Sequence, residues 1–414
     1  MMSTTKIPRL LILGYCYPPT VSPEGFVTAK LLRNVPDCKI DVLTLDNGLV
    51  GPFLDSEMGN YAEKIPGRVI RVGASTLIRK ISNFPRLPFR PDRWIVLNHI
   101  VSSKVRKLLL RERYDCFVTR SQYHSSHLVG LKLKRRNPEI PWIACFSDPW
   151  SNADHQVSVP VFSNWSDMQE RKVLECADCL VFPTEGLRDH FTNGDFALNA
   201  KSAILPHSFD ASLYARKKSP GKSFGSSVTL RLFGSFYGAR TPDALFSAIN
   251  RLNLESQINI TLEVFGAWHP SYAEFEDQNG GRKKKHVRYM GQVPHLDALR
   301  EMQDADLLVV VDAPGKGSSF YLPSKLVDYL GSGTPILSLC RPGVVCDITR
   351  KAGGIVADPS DVYGISEAIR NWLNAIERKY SPSALTLSNY EARCVGRKFR
   401  DLVGCLLDEK VTEK

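Results

Sequence analysis

The sequence contains no long apolar run and no dinucleotide-binding fingerprint. None of its 414 residues fall in an uninterrupted apolar stretch long enough to span a bilayer, which takes about 20 residues. The stretch LLILGYCY is followed at once by Pro18 and Pro19 and is too short for the core of a secretory signal. A G-x-G-x-x-G turn is also absent. We therefore expect a protein that is soluble or peripheral to a membrane.

Cysteine is present but is not arranged as a framework. The ten cysteines are scattered, and the Cys-x-x-Cys formed by Cys176 and Cys179 has no second pair nearby. It lies where a predicted helix meets a predicted strand, so small buried side chains are favoured over a metal or redox site. This usage is typical of a reduced, cytoplasmic protein, and we predict neither a metal nor a cofactor.

The charge balance is basic. Lys and Arg number 54 against 43 Asp and Glu, a formal net charge of +11, which favours phosphates, nucleic acid or an anionic membrane as partners. Aromatic residues are not interleaved with the basic ones, so a nucleic-acid platform is not predicted. Segments 102–115 and 131–138 alternate Leu or Val with Lys or Arg. Each is either a solvated helix face or a helix lying on an anionic bilayer.

Short apolar runs alternate with helical patterns along most of the chain, which predicts parallel sheets covered on both faces. The pattern stops in a polar Gly/Ser/Lys-rich stretch near 200–225 and then starts again. We predict two α/β domains, at 1–205 and 206–389, and a C-terminal segment, 390–414, whose part 390–409 is one amphipathic helix. Residues 51–95 show no clean period and are interpreted as a long excursion over the surface of the first domain.

Three features of the first half lie where a strand is predicted to end. Gly25 follows a Pro-rich loop and opens a helix, and a helix N-terminus at the carboxyl end of a parallel sheet can bind an anion. Asp148, in the sequence SDPW, follows an apolar strand and either acts in chemistry or caps the next helix. His124 has the same placement, whereas His127 is expected on a helix surface.

The second half carries two stretches suited to phosphate. In FGSFYGARTPDALFSAI (233–249), Gly234 ends a strand and Arg240 precedes a helix, and a guanidinium matches a diphosphate. In YLPSKLVDYLGSGTPIL (321–337), Pro323 suits the first turn of a helix. The N–H groups of Ser324, Lys325 and Leu326 would then point outward together with the lysine. Asp328 lies one turn further on and could accept hydrogen bonds from a ribose.

These motifs, in this order, resemble the family 4-type glycosyltransferases with the GT-B fold. The resemblance includes LILGYCYPPTVSPEG, ECADCLVFPTEGLRDHF, ILPHSFDASLY and ADLLVVVDAPGKGSSFYLPSKLVDYLGSGTPIL. It implies two facing Rossmann-like domains, a C-terminal helix crossing back to the first domain, and metal-independent transfer of a hexose from a nucleotide diphosphate sugar, UDP- or GDP-linked. The reaction would retain the anomeric configuration, and the acceptor would be a saccharide or a lipid-linked molecule in polysaccharide assembly. It would take place in the cytoplasm, at the inner face of the membrane if the basic helices dock there.

The resemblance also implies roles for particular residues. Asp148, His124, Arg240 and Lys325 are the predicted catalytic residues, and the predicted donor-binding residues are Gly25, Gly234, Ser235, Arg240, Gly266, Ser324, Lys325, Leu326 and Asp328. Two departures stand out: Phe320 occupies the place of a family carboxylate, and Pro23-Glu24-Gly25 replaces a Gly-Gly pair. A non-catalytic partner subunit and a nucleotide-sugar epimerase remain alternative interpretations.

Overall fold

The computed structural model describes residues 7–82, 89–151, 160–214, 227–236, 241–269, 272, 286–312, 319–375, 380 and 382–412. The chain divides into two compact units. Unit 1 comprises Met1–Ser208 and Ala392–Lys414, and unit 2 comprises Phe209–Glu391. Among the helices of the described residues, none is long and apolar enough to cross a membrane.

Unit 1 is built on a parallel sheet. Its strands are β1 (Arg9–Gly14), β2 (Lys39–Leu45), β3 (Gly67–Val72), β4 (Cys116–Arg120), β5 (Trp142–Cys145), β6 (Cys179–Phe182) and β7 (Ser202–Ile204). They form one seven-stranded sheet in the order β3-β2-β1-β4-β5-β6-β7, and every adjacent pair is parallel. The strand order reverses between β1 and β4, which makes their carboxyl ends the topological switch point where open α/β sheets bind ligands.

The helices of unit 1 follow and precede these strands. They are α1 (Pro23–Arg33), α2 (Ser56–Ala62), α3 (Thr76–Ser82), α4 (Asn98–Leu109), α5 (Ser125–Arg136), α6 (Pro160–Cys176), α7 (Glu185–Thr192) and α8 (Phe196–Ala200), with a 3₁₀ helix at Arg93–Leu97. In β1, Leu10 to Leu13 are fully buried. Such a continuous apolar run is what a strand covered on both faces requires.

Unit 2 repeats the arrangement with one strand fewer. Its strands are β8 (Ser227–Phe233), β9 (Asn259–Phe265), β10 (Val287–Gly291), β11 (Leu307–Val311), β12 (Ile336–Leu339) and β13 (Ile355–Ala357). Its helices are α9 (Asp243–Glu255), α10 (His295–Asp304), α11 (Ser324–Ser332), α12 (Val344–Lys351), α13 (Val362–Asn374) and α14 (Ala384–Tyr390), with a 3₁₀ helix at Ala211–Leu213. The six strands are parallel, in the order β10-β9-β8-β11-β12-β13. The switch point of unit 2 therefore lies between β8 and β11.

The C-terminal helix belongs to unit 1 by its packing. This helix, α15 (Ala392–Thr412), lies against α1. A Cβ built on Gly396 would collide with the backbone of Asn34, just after α1 ends. Only glycine allows so close an approach of helix and loop.

The interpretation of residues 51–95 as a surface excursion is wrong. This segment contains α2, β3, α3 and the 3₁₀ helix, and β3 pairs with β2 along its whole length. Gly67 starts the strand, and a Cβ there would collide with the backbone of Ile40. Because β3 is an edge strand with exposed and half-buried residues up to Val72, it lacks the continuous apolar run that marks the central strands.

Candidate functional site

The carboxyl edge of the unit 2 sheet is lined by bare backbone at three neighbouring strands. Gly234 follows β8, Gly266 follows β9 and Gly291 ends β10, with φ of 144°, 141° and 81°. The Gly234 N–H donates to Phe265 O at 2.7 Å, and the Gly266 N–H donates to Gly291 O at 2.9 Å. A Cβ on Gly266 would collide with the backbone of Gly234. Gly234 and Gly266 thus allow neighbouring protein groups to approach the main chain closely, and this edge presents backbone instead of side chains.

Lys325 brings a cation to the switch point of unit 2. It is the second residue of α11, the helix that follows β11, and a Cβ on Gly234 would collide with its Nζ. Its ammonium group therefore lies directly on the backbone that follows β8. A lysine next to bare backbone at a helix N-terminus favours an anionic ligand.

The first turn of α11 is only partly available for such a ligand. Pro323 precedes the helix and offers no side-chain cap, so the N–H of Ser324 lies among the first-turn groups that have no partner within a helix. Leu326 differs, since its N–H donates to Pro323 O at 3.0 Å and its side chain is fully buried. The predicted backbone contact of Leu326 is therefore already engaged within the protein.

Asp328 is buried, at 4% exposure, and lies beside a histidine that the sequence reasoning missed. Its Oδ2 is 3.9 Å from Nε2 of His295, the first residue of α10. Its backbone oxygen accepts a hydrogen bond from the Tyr214 hydroxyl at 2.9 Å, and burial raises the pKa of Tyr214 well above its ordinary value. The backbone of the predicted ribose-binding residue is thus held by Tyr214, and its carboxylate lies near the ring of His295.

The neighbouring Tyr329 ties α11 to the sheet. Its hydroxyl donates to Val309 O at 3.1 Å and accepts from the Phe233 N–H at 3.0 Å. One side chain therefore joins the helix to both strands at the switch point, β8 and β11. This fixes the position of Lys325 relative to the glycine row.

Ser235 and Arg240 are further predicted donor residues, and Phe320 occupies a position that bears on the donor. Ser235 Oγ accepts a hydrogen bond from the Ala267 N–H at 3.2 Å, which links the loops after β8 and β9. Arg240 lies outside the described residues. Phe320, in the place of the family carboxylate, packs its ring against Tyr321 with 4.7 Å between the centroids.

At the switch point of unit 1, a buried ion pair was not foreseen. Glu24 in α1 and Arg120 at the end of β4 are each 6% exposed. Arg120 Nη2 and Nε donate to Glu24 Oε1 at 2.7 and 3.1 Å, and Arg120 Nε also donates to Thr28 Oγ1 at 2.7 Å. Burial raises the pKa of Glu24 above its ordinary value, and the Arg120 charge opposes that rise.

The ion pair also holds the loop that carries Asp148. Ser147 Oγ donates to Glu24 Oε2 at 2.9 Å, and the Ser147 N–H donates to Ser121 Oγ at 2.9 Å. Asp148 is the next residue and is half-buried, and its charge contributes to the raised pKa of Glu24. Glu24, Arg120 and Asp148 therefore lie together at one edge of the sheet.

Gly25 is the other predicted site residue in this region. Its N–H donates to Ser22 Oγ, the N-cap of α1, at 2.9 Å. A Cβ on Gly25 would lie 3.0 Å from the same oxygen. The structure thus gives Gly25 a local role in the turn that begins α1.

His124 is buried in an aromatic cluster. Its ring stacks on Trp150 at 5.1 Å between centroids, and its Nε2 lies 3.3 Å from Pro149 O. The expectation that His127 lies on a helix surface is wrong, because His127 is fully buried and its Nδ1 is 2.7 Å from Thr119 Oγ1. Burial lowers the pKa of His127 well below its ordinary value. His127 faces the strands on which α5 packs, and its ring lies 4.4 Å from that of Phe146.

No group of His, Cys, Asp and Glu in the described part of the chain is suited to hold a metal ion. The charged groups at the two switch points are therefore the candidates for chemistry. In unit 2 this is Lys325 beside the backbone of Gly234, and in unit 1 it is the buried Arg120 with carboxylates around it. The lysine of unit 2 can stabilise an anionic substrate, whereas the arginine of unit 1 is already paired with a carboxylate.

Comparison with solved structures identifies the fold. HepE of Anabaena, crystallised with UDP and glucose, is 13% identical, with a TM-score of 0.63 and coverage of 96% of this chain and 100% of that one. A trehalose-6-phosphate synthase, OtsA, is 12% identical, with a TM-score of 0.65 and coverage of 97% and 99%. The sucrose-phosphate synthase of Thermosynechococcus elongatus is 15% identical, with a TM-score of 0.59 and coverage of 98% and 97%. The chain has the GT-B fold of glycosyltransferases, which confirms the predicted fold class.

A protein-family model matches part of unit 1. Residues 62–206 match the model of the glycosyl transferase 4-like domain. This part of unit 1 is therefore similar to a glycosyl transferase 4-like domain, in agreement with the family resemblance seen in the sequence. No curated protein matches the sequence.

Proposed function

We propose that this protein transfers a sugar from a nucleoside diphosphate sugar to an acceptor, and that the donor binds to unit 2. The observation that carries this proposal is the position of the Lys325 ammonium on the backbone of Gly234, at the switch point of the sheet. A diphosphate placed there would meet a cation, a helix N-terminus and a backbone edge without side chains.

The remaining donor contacts follow from this placement. Asp328 lies one turn beyond Lys325 and would accept the ribose hydroxyls, with His295 beside it. Gly266 and Ser235 would border the diphosphate, and Arg240 would add a second cation. UDP is the preferred nucleotide because HepE and other solved structures of this fold contain it, and GDP is the second choice.

The proposed reaction retains the anomeric configuration and needs no metal. As the bond to the sugar breaks, negative charge grows on the β-phosphate oxygen. Lys325 and Arg240 would stabilise it while the sugar passes through an oxocarbenium-like state. In unit 1, Asp148 would orient the acceptor hydroxyl. Its half-exposed carboxylate is better placed for this than the ring of His124, which is 8% exposed and stacked on Trp150.

The acceptor we propose is a saccharide or a lipid-linked molecule in polysaccharide assembly, on the cytoplasmic side of the membrane. The excess of basic residues, with a net charge of +11, suits a molecule or surface that carries phosphate.

The experiment is a thermal-shift and calorimetric screen of UDP, GDP, ADP and their glucose conjugates, since ligand binding raises stability by mass action. We expect UDP to raise the melting temperature of the wild type and of Lys351→Met, an exposed control in α12. Lys325→Met should respond much less. No binding of any nucleotide by the wild type would overturn the proposal.

A non-catalytic partner subunit is the second candidate, and Phe320 favours it. An aromatic ring in the place of the family carboxylate removes a group that would contact the transferred sugar. Release of UDP from UDP-glucose separates the two candidates. Slow release that depends on Lys325 supports the enzyme, whereas tight UDP binding without release from any UDP-sugar tested, alone or with saccharide acceptors, supports the partner subunit.

A further inference from the structure

A groove lies on the surface of unit 1, among the helices that cover its sheet. It runs between α5 and α6 and has a volume of about 370 Å³. We call it the basic groove, and its lining residues are Leu128, Leu131, Lys132, Arg135, Arg136, Trp165 and Gln169. Two leucines and a tryptophan provide apolar surface, and three cations from the second half of α5 stand beside them.

In the part of the chain that the structure describes, no acidic side chain neutralises these three cations. Within the described residues, Lys132, Arg135 and Arg136 are exposed and form neither an ion pair nor a side-chain hydrogen bond. Their neighbour Lys134 behaves differently, since its Nζ lies 2.6 Å from Asp178 Oδ2 and 2.8 Å from Pro138 O. The charge of α5 is therefore divided between one structural lysine and three that face solvent.

The end of α4 extends the same surface. This helix packs on α5, and Leu110, the residue after it, is 81% exposed. Arg106, Lys107 and Arg111 around it are exposed as well. Both helices precede parallel strands of one sheet, so their C-terminal ends lie at its amino edge, opposite the edge that carries Asp148.

We propose that the basic groove and the end of α4 form a docking surface for membranes that contain anionic phospholipid. The phosphate of the headgroup would lie between Lys132, Arg135 and Arg136, and the upper part of an acyl chain would contact the half-buried Leu128 and Trp165. Unpaired cations beside an apolar floor with a tryptophan complement the charge and the polarity gradient of such an interface. A solvated face of α5 would explain the cations but not the apolar groove that they flank.

This inference deepens the proposed function, and its meaning for a lipid-linked acceptor rests on that function. Docking at the amino edge of the sheet would leave the carboxyl edge, with Asp148, accessible to the acceptor. The binding itself needs no nucleotide, so the two proposals fail separately. Vesicle binding without UDP binding overturns only the proposed function, and UDP binding without vesicle binding overturns only the docking surface.

The test is co-sedimentation of the full chain with vesicles of phosphatidylcholine alone or mixed equally with phosphatidylglycerol. We expect binding only to the mixed vesicles, weakening as salt rises. The variant Lys132→Gln/Arg135→Gln/Arg136→Gln should bind roughly 100-fold more weakly. A control with the same change in charge, Lys64→Gln/Lys80→Gln/Lys351→Gln, replaces exposed lysines elsewhere and should bind within a few-fold of the wild type. Equal losses in the two triple variants would overturn the proposal.

Experiments on Trp165 distinguish binding to a membrane from binding to a soluble polyanion. Vesicles with brominated phosphatidylglycerol should quench the fluorescence of the wild type more than that of Trp165→Phe. Trp165→Ala should weaken vesicle binding while leaving the melting transition and the binding of a short RNA unchanged. If Trp165 is not quenched and the groove variant loses RNA and vesicles alike, the surface is a general polyanion site and the lipid assignment is wrong.

Discussion

The sheets of the two units share a switch point, but the charged group at that point differs between them. In both, the first strand of the unit has the second on one side and the fourth on the other, so the strand order reverses beside it. In unit 1 this point holds the carboxylate of Glu24, bound by Arg120 and Ser147. In unit 2 it holds the ammonium of Lys325 on the backbone of Gly234.

The charged groups at the two switch points indicate which unit can bind an anion. In unit 1 the protein supplies its own carboxylate to the arginine, so an external phosphate would have to displace a buried group. In unit 2 the cation stands beside glycine backbone at the N-terminus of α11, where a phosphate adds charge that the site favours. Topology marks both switch points as candidate sites, and the side chains favour unit 2 for the diphosphate.

The largest effect is expected when Glu24, the carboxylate that pairs with Arg120 at the switch point of unit 1, is removed. Glu24→Ala leaves the Arg120 guanidinium buried and uncompensated, which should lower the unfolding free energy of unit 1 by about 3–5 kcal/mol. Urea denaturation, followed by hydrogen exchange in peptides of each unit, measures the loss and assigns it to unit 1.

The control for this test replaces both charges. Glu24→Met/Arg120→Met exchanges the ion pair for apolar side chains and should recover most of the stability, because a buried pair adds little beyond the cost of removing its charges from water. Equal stability of Glu24→Ala and the wild type would show that water or another group satisfies Arg120, and the contrast between the units would fail.

The second prediction concerns unit 2. Lys325→Met should weaken UDP binding by about 10- to 100-fold, the equivalent of a lost charge-assisted contact of about 1.5–3 kcal/mol. It should leave the unfolding free energy nearly unchanged, in contrast to Glu24→Ala. Calorimetric titration with UDP measures the first quantity and urea denaturation the second. A large loss of stability with unchanged affinity would make Lys325 a structural residue.

The two switch points also differ in how far the sequence predicts them. The α11 segment was predicted from local signals, Pro323 at its start and glycines at its end, and Gly333 is left-handed with a φ of 71°. The order of motifs then indicated the fold. The ion pair gave no such signal, because its partners are 96 residues apart in sequence. They meet only because β1 and β4 are neighbours in the sheet.

Other errors have related physical causes. The edge strand β3 gives no clear sequence pattern because its residues before Val72 are exposed or half-buried. The sequence predicts a surface position for His127, whereas α5 packs this side chain against β4, where it contacts Thr119. Local sequence patterns predict helices and strands. Whether a polar side chain is buried depends on which helices and strands become neighbours in the fold.

The pH dependence should also differ between the units. Among the described carboxyl groups, those with a raised pKa lie in unit 1, where burial raises the pKa of Asp92 to about 6 and that of Glu170 to about 7. The pKa of Asp358 in unit 2 is lowered. A raised pKa in the folded state means stability that is fully present below the unfolded pKa, about 4, and is lost as pH rises through the folded pKa.

The Asp92 carboxyl alone should therefore lower the unfolding free energy of unit 1 on the order of 1–2 kcal/mol as pH rises from about 5 to about 8, and Glu170 should add to this fall. That of unit 2 should change less. Hydrogen exchange at a series of pH values, corrected for the intrinsic rate, measures each unit. Asp92→Asn should remove the part of the slope near pH 6, and an unchanged slope in this variant would assign the effect to other groups.

The smallest expected effect comes from Ser147, which joins the ion pair of unit 1 to the loop of Asp148. Ser147→Ala removes the hydrogen bond to Glu24 Oε2 but leaves the bond from Arg120 to Oε1 in place. We expect a loss of about 1 kcal/mol in stability and faster hydrogen exchange in 146–150, with UDP affinity unchanged because the donor is assigned to unit 2. Ser151→Ala is the matched control, since Ser151 Oγ donates to Glu170 instead. If Ser147→Ala weakens UDP binding as much as Lys325→Met does, the switch point of unit 1 takes part in donor binding and the assignment of the anion to unit 2 alone is wrong.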